Sequence, residues 1–207
     1  MDHFHDLQGW AEQRVSGWSA LCFDLDGTLA EVNTRRLRLW WSLLRAPRVV
    51  GAIQPAVRTL RGHRFANLDA ALTTAVSSGS GVPEAAAAPV VHRLLRQDWP
   101  ATFHDATPLP AVRALMQAGR GQRLPMAVFS DHPALAKLRF MGHLDWDAVV
   151  DGHAIGALKP LPDGIHAVAA QLGVPPCRIL MVGDREDTDG AAAAAAGAGF
   201  LCIAEPR

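Results

Sequence analysis

In the stretch FDLDGTL, residues 23–29, Asp24 and Asp26 flank a single leucine, at the end of an apolar run and just before a glycine. Two carboxylates this close repel each other unless a cation or a shared proton compensates them. More acids stand far downstream in GDREDTDG, where Asp184 is followed by Asp187 and Asp189. Three or more carboxylates converging on one point suit a hard cation such as Mg²⁺, which takes oxygen ligands and keeps several waters. Lys159, in LKPLP, is one of two lysines against eighteen arginines. A compact ammonium there could stand between a carboxylate and a phosphate and neutralise both. Ser130, at the end of MAVFS, adds a hydroxyl.

These residues need elements to gather them. Short apolar runs at Ala20 to Asp24, Met126 to Ser130, Trp146 to Val150, Ile179 to Gly183 and Phe200 to Ile203 read as buried parallel strands whose ends feed loops. Helical patterns lie between them at Leu109 to Ala118, Pro133 to Met141, Asp163 to Leu172 and Thr188 to Ala196, with one more before the first strand. Such alternation predicts an α/β fold, a doubly wound parallel sheet of Rossmann-like type. Ligands of such sheets sit beyond the carboxyl ends of the strands, where Asp24, Ser130 and Asp184 all fall.

The alternation breaks between Glu31 and about Asp105, which is helical in pattern and reads as an inserted helical cap subdomain over residues 31–105. Residues 1–30 and 106–207 form the α/β core. The Ser77 to Gly81 segment reads as a flexible hinge inside the insertion. Leu37, Trp40, Trp41 and Leu44 follow helical spacing, with Arg35, Arg38, Ser42 and Arg45 opposite, and the aromatic stripe at Trp40 and Trp41 reads as the insertion's own small core. From Arg35 to Arg96 there are ten arginines against Asp69 and Glu84. A basic lid over an acidic floor would trap an anionic substrate. The alternatives are contact with an anionic membrane surface, the tryptophans at the interface, and a simply solvated face.

The four motifs DLDGTL, FSD, KP and GDREDTDG, in this order, resemble those of the haloacid dehalogenase-like superfamily, in its phosphatase branch with a helical cap after the first motif. The resemblance implies that Asp24 is the nucleophile and Asp26 the general acid and base. It gives Thr28 the task of steadying the loop, and Ser130 and Lys159 that of binding phosphate. Asp24, the Asp26 backbone carbonyl, Asp184 and Asp189 would hold Mg²⁺, with Asp187 a competitor to Asp189. In the dehalogenase branch no second aspartate of this kind is found and no metal is needed, so Asp26 speaks for a phosphatase. The phosphonate-cleaving branch uses a cap lysine, and no lysine lies between Glu31 and Asp105. Asp131 follows the motif serine where many relatives have asparagine, and is expected to orient the loop. The expected activity is Mg²⁺-dependent hydrolysis of a small anionic phosphorylated metabolite through an aspartyl-phosphate. A mutase, and a binding or regulatory protein without turnover, are the alternatives.

Composition narrows the rest. With 207 residues, 49% of them hydrophobic, the chain can bury a real core. Its formal charge of zero does not point to nucleic acid. The longest apolar run, Ala191 to Ala204, is short of the roughly 18 residues of a membrane span, so a cytoplasmic location is expected. Cys22, Cys177 and Cys202 read as buried small hydrophobes. His132 and His153, near predicted strand ends, read as loop histidines, with contact to substrate the alternative. Arg185 is left between a structural ion pair and a contact with the cap.

Overall fold

The computed structural model describes residues 2–30, 44–104, 106–142 and 145–203. Five parallel strands form one sheet in the order β3-β2-β1-β4-β5, with β1 Ala20–Phe23, β2 Met126–Ser130, β3 Ala148–Asp151, β4 Ile179–Gly183 and β5 Gly199–Cys202. Alternation along β1 shows how both faces are buried. Leu21 and Phe23 join a core with Val112, Leu115, Val128 and Leu138, whereas Ala20 and Cys22 join Phe129, Ile165, Val168 and Met181. The first face is covered by α1 (Asp2–Val15), α5 (Pro110–Gly121) and α6 (Ala134–Met141). The second is covered by α8 (Asp163–Leu172) and α9 (Ala191–Ala196). Each fully buried Leu or Phe is worth about 1.5–3 kcal/mol, and these layers supply most of the apolar burial that sets the strand ends rigidly in place. Among the described residues no helix is long and apolar enough to cross a membrane.

Among the described residues between β1 and α5 run three helices, α2 (Pro47–Leu60), α3 (Leu68–Ser80) and α4 (Glu84–Arg93). They pack on one another around Val49, Ile53, Val57, Leu72, Val76 and Val91, a core separate from those of the sheet. The Asn67 side chain caps α3 by accepting from the Ala70 amide at 3.0 Å. A wide turn at Leu94–Asp98 and a 3₁₀ turn at Pro100–Phe103 lead back toward the sheet.

Two expectations change here. Ser77 to Ser80 are the last turn of α3, closed by Gly81 in the left-handed conformation. The Ser77 hydroxyl donates to the Val82 carbonyl at 2.7 Å and Ser80 Oγ accepts from the Val82 amide at 3.2 Å, so this small-residue run is a hydrogen-bonded helix end and not a hinge. Cys22 is buried, its thiol pushed up to about 12 by desolvation, but Cys177 is exposed, because it sits in the 3₁₀ turn Pro176–Arg178 ahead of β4. The readings of Leu37, Trp40, Trp41, Arg35 and Arg38 and of the junctions at Glu31 and Asp105 lie outside the described residues.

Candidate active site

The sheet order places the exits of β1 and β4 side by side, at the point where the chain switches direction across the sheet. Phe23 pairs with Val182, and the Asp24 amide donates to the Val182 carbonyl at 2.9 Å. Asp24 and Asp184 therefore leave adjacent strand ends. Behind Asp26 the chain turns sharply, with the Gly27 amide donating to the Ala30 carbonyl at 2.9 Å. Gly27 has φ 96°, and a Cβ there would lie 2.6 Å from Asp184 Oδ2, so only glycine lets this loop approach the second acid.

Lys159 is the electrostatic centre. Its ammonium donates to Asp24 Oδ1 at 2.5 Å and to Asp189 Oδ1 at 2.6 Å, and all three side chains are buried. Burial works against the Lys159 charge, but Asp24, Asp189 and Asp131 outweigh it and hold its pKa above the ordinary value. One ammonium shared by two carboxylates cannot fully compensate both. Burial accordingly pushes the Asp24 carboxyl up to about 8, against the pull of Lys159 and with Asp189 and Asp26 adding to the rise.

Carboxylate oxygens of Asp24, Asp184 and Asp189 lie within 4.8 Å of one another. Asp184 is partly buried, and desolvation together with Asp189 raises its pKa. A set of hard oxygen donors with more negative charge than its one buried ammonium balances fits a divalent cation such as Mg²⁺. Asp189 also accepts from the Arg185 amide at 3.2 Å, which ties the turn Glu186–Gly190 to the cluster. Asp187 is exposed and forms an ion pair with Arg185 at 2.6 Å. That places Asp189 in the acidic cluster and Asp187 outside it, and gives Arg185 a local partner on its own turn.

Asp26 has different partners. Trp99 Nε1 donates to its Oδ1 at 3.1 Å, while Lys137 forms an ion pair with its Oδ2 and the Ser130 hydroxyl lies 3.4 Å from that same oxygen. Burial opposes the Asp26 charge, but Lys137, His132 and the Trp99 hydrogen bond prevail and lower its pKa. The cation missing beside Asp24 and Asp26 in the sequence is thus supplied twice, by Lys159 for the first and Lys137 for the second.

Above the acids lies a cavity of about 130 Å³ lined by Asp24, Asp26, Lys159 and Asp184 from the sheet side and by Gln54, Val57, Arg61 and Trp99 from the helical side. Arg61 reaches across, its guanidinium 2.7 Å from Asp131 and also donating to the Lys159 carbonyl. Asp131 in turn accepts from the Lys159 amide at 2.8 Å. Asp131 therefore ties its own loop to the lysine loop and additionally anchors a helical-segment arginine. A second anchor joins Arg64 to Asp163 at 2.7 Å, and a third joins His153 Nδ1 to Asp69 at 2.5 Å. Between these anchors the Phe65 amide donates to the Gly156 carbonyl at 2.8 Å; a Cβ on Gly156 would lie 1.9 Å from the Phe65 carbonyl oxygen.

Ser130 and Thr28 are fully buried; the Ser130 hydroxyl faces Asp26, and the Thr28 hydroxyl has no hydrogen-bond partner among the described residues. The two histidines are more than loop residues. His153 lies in the short helix α7 (Gly152–Ile155) and binds Asp69 of α3, while His132 lines the cavity, where desolvation and Lys137 push its pKa down to about 4. Sequence reasoning missed Lys137, Trp99 and Arg61. For Lys137 a signal existed: it is the other of the two lysines, and it lies with Ala134 and Leu138 on the buried face of α6.

A search of curated proteins finds no match. Among solved structures, an L-2-haloacid dehalogenase, PA0810, is 22% identical, with 92% of this chain and 86% of that chain covered and a TM-score of 0.61. The L-2-haloacid dehalogenase from Xanthobacter autotrophicus is 22% identical over 92% of this chain and 79% of that one, with a TM-score of 0.56. A predicted phosphoglycolate phosphatase from Haemophilus somnus 129PT is 18% identical over 90% and 85%, also at 0.56. At these identities the likeness is one of fold. The model of the haloacid dehalogenase-like hydrolase family matches residues 18–197, a span that takes in both strand-end acids, Lys159 and the helical segment between β1 and α5, and the chain belongs to that family.

Proposed function

We propose that this hydrolase is a cytoplasmic Mg²⁺-dependent phosphatase that cleaves a small phosphorylated metabolite through an aspartyl-phosphate on Asp24, with residues 31–105 acting as a cap over the core of residues 1–30 and 106–207. The observation that carries the reading is that Asp26 opens on the same cavity as Asp24. A nucleophilic carboxylate with a second, separately held carboxylate beside it is what phosphoryl transfer to and from an aspartate requires. The cavity, of about 130 Å³, has room for a phosphoryl group beside both acids.

In the first step an Asp24 oxygen attacks phosphorus and the bond from phosphorus to the ester oxygen breaks, its electron pair leaving with that oxygen. Asp26 gives the departing oxygen a proton. A phosphate dianion entering beside Asp26 raises the proton affinity of a carboxylate otherwise held low, which lets Asp26 carry that proton. In the second step Asp26 takes a proton from a water that attacks the same phosphorus, and the Asp24 carboxylate and inorganic phosphate are released. Lys159 neutralises Asp24 and the phosphoryl oxygens throughout. Asp24, Asp184, Asp189 and the Asp26 backbone carbonyl would hold Mg²⁺, which when bound would supply further charge neutralisation of the phosphoryl group.

Release of phosphate from p-nitrophenyl phosphate and from a panel of phosphorylated metabolites, with and without EDTA, tests the reading, alongside halide release from 2-haloacids. The expected result is phosphate release that EDTA abolishes and added Mg²⁺ restores. Halide release unaffected by EDTA, with no phosphatase activity, would overturn it.

A further inference from the structure

Lys137 has no accessible surface, although it stands on the inner face of α6 where a leucine or methionine would continue the apolar stripe of Ala134 and Leu138. Its ammonium lies 5.2 Å from the centre of the Phe103 ring and 5.8 Å from that of Trp99, so its walls are aromatic. Burying a lysine in such a place is costly unless it is paired, and its ion-pair partner is Asp26 Oδ2. The other Asp26 oxygen accepts from Trp99 Nε1 at 3.1 Å. Both oxygens of the carboxylate are therefore held, one from α6 and one from the turn that returns from the helical segment. A carboxylate held at both ends has a fixed direction, whereas one held at a single oxygen can swing.

We infer that Lys137 and Trp99 are positioning residues for Asp26, fixing the direction in which it delivers and accepts the proton of the reaction. The inference rests on the phosphatase reading of Asp26. It also gives the helical segment a route to the chemistry: Trp99 lines the cavity with the same ring whose N–H holds Asp26, so a shift of this turn changes the grip on the acid.

The test compares Lys137→Met and Trp99→Phe with the wild type on p-nitrophenyl phosphate and on an alkyl phosphate such as glycerol phosphate. Nitrophenolate leaves without a proton and an alkoxide does not, and kcat/KM reports the steps up to departure of the alcohol. The expected result is a loss of kcat/KM about 10- to 100-fold greater on the alkyl ester than on the aryl ester in Lys137→Met, with a smaller bias of the same sign in Trp99→Phe. Equal losses on both esters would mean a structural role only and overturn the inference. A second arm needs no activity: thermal denaturation of Lys137→Met, Asp26→Asn and the double variant. Each single change strands a charge, so each is expected to lower the melting temperature and the double to recover most of the loss. Losses that simply add would show that the pair is not coupled. A wild type that hydrolyses neither ester removes the phosphatase reading and the catalytic role with it, while the denaturation cycle still decides whether Lys137 holds Asp26.

Discussion

Arg61, the residue that ends α2, places its guanidinium 2.7 Å from the carboxylate of Asp131, at the exit of β2, and also donates to the carbonyl of Lys159. One side chain thus joins the helical segment to the two loops that carry the serine and lysine motifs. Asp131 is 11% exposed and Arg61 20%, so water screens this pair only in part.

Arg61→Ala leaves Asp131 partly buried without its cation, and a loss of about 1–3 kcal/mol is expected in urea denaturation. Because Arg61 lines the cavity, kcat/KM on an anionic phosphate ester should also fall. Arg61→Lys should recover only part of both, since an ammonium cannot span Asp131 and the Lys159 carbonyl as a planar guanidinium does. An unchanged denaturation midpoint in the alanine variant would show that the pair contributes nothing.

Asp24→Asn is expected to lower turnover by at least about a thousandfold, because the nearly isosteric amide is a poor nucleophile. The fold should persist. Lys159 keeps Asp189 as a partner at 2.6 Å, and removing one of three neighbouring negative charges relieves repulsion. Steady-state kinetics and a thermal melt on the same preparation check both halves; substantial residual activity would move the nucleophile elsewhere.

Asp184 and Asp189 should separate when their variants are titrated with Mg²⁺. Asp184 is only partly buried, so Asp184→Asn is expected to raise the Mg²⁺ concentration for half activity about 10- to 100-fold with little change in stability. Asp189 is 1% exposed and binds both Lys159 and the Arg185 amide; Asp189→Ala leaves Lys159 paired with Asp24 but takes the acceptor from the Arg185 amide and empties a buried site, so a loss of about 1–3 kcal/mol is expected. Indistinguishable titrations and melts for the two variants would contradict this division.

Acid should loosen the helical segment from the core. The hydrogen bond from Arg64 lowers the Asp163 pKa, and for Asp69 the bonds from Arg96 and His153 outweigh burial, which acts in the opposite direction. Both folded values lie below the unfolded one, so the stabilisation is complete above about pH 4 and is lost as pH falls through the lower folded values. The protection factor of the Phe65 amide, bonded to the Gly156 carbonyl across the junction, should be flat above about pH 4 and decline below it. Asp163→Asn should lower the plateau and shrink the decline; a decline of unchanged size would remove Asp163 from the account.

The five strands, the order of helices around them and the strand-end positions of Asp24, Ser130 and Asp184 were legible in the sequence, because each depends on short-range pattern: an apolar run, then a polar residue or glycine. Lys159 was legible too, as a rare residue in a recognisable motif. The partners of Asp26 were not. Trp99 lies 73 residues from it and Lys137 111, and nothing in the local pattern around either residue marks a contact over such a distance. Lys137 even reads as part of an ordinary helix, since one lysine among apolar residues leaves the 3.6-residue period intact. Arg61 was one of ten arginines spread along the helical segment, and only the packing of α2 against the core singles it out. The types and spacing of the acids determined what chemistry the strand ends can do. Which cation compensates each acid was decided by tertiary packing, because electrostatic compensation depends on distance in space and a helix face or a return turn can bring any part of the chain to that distance.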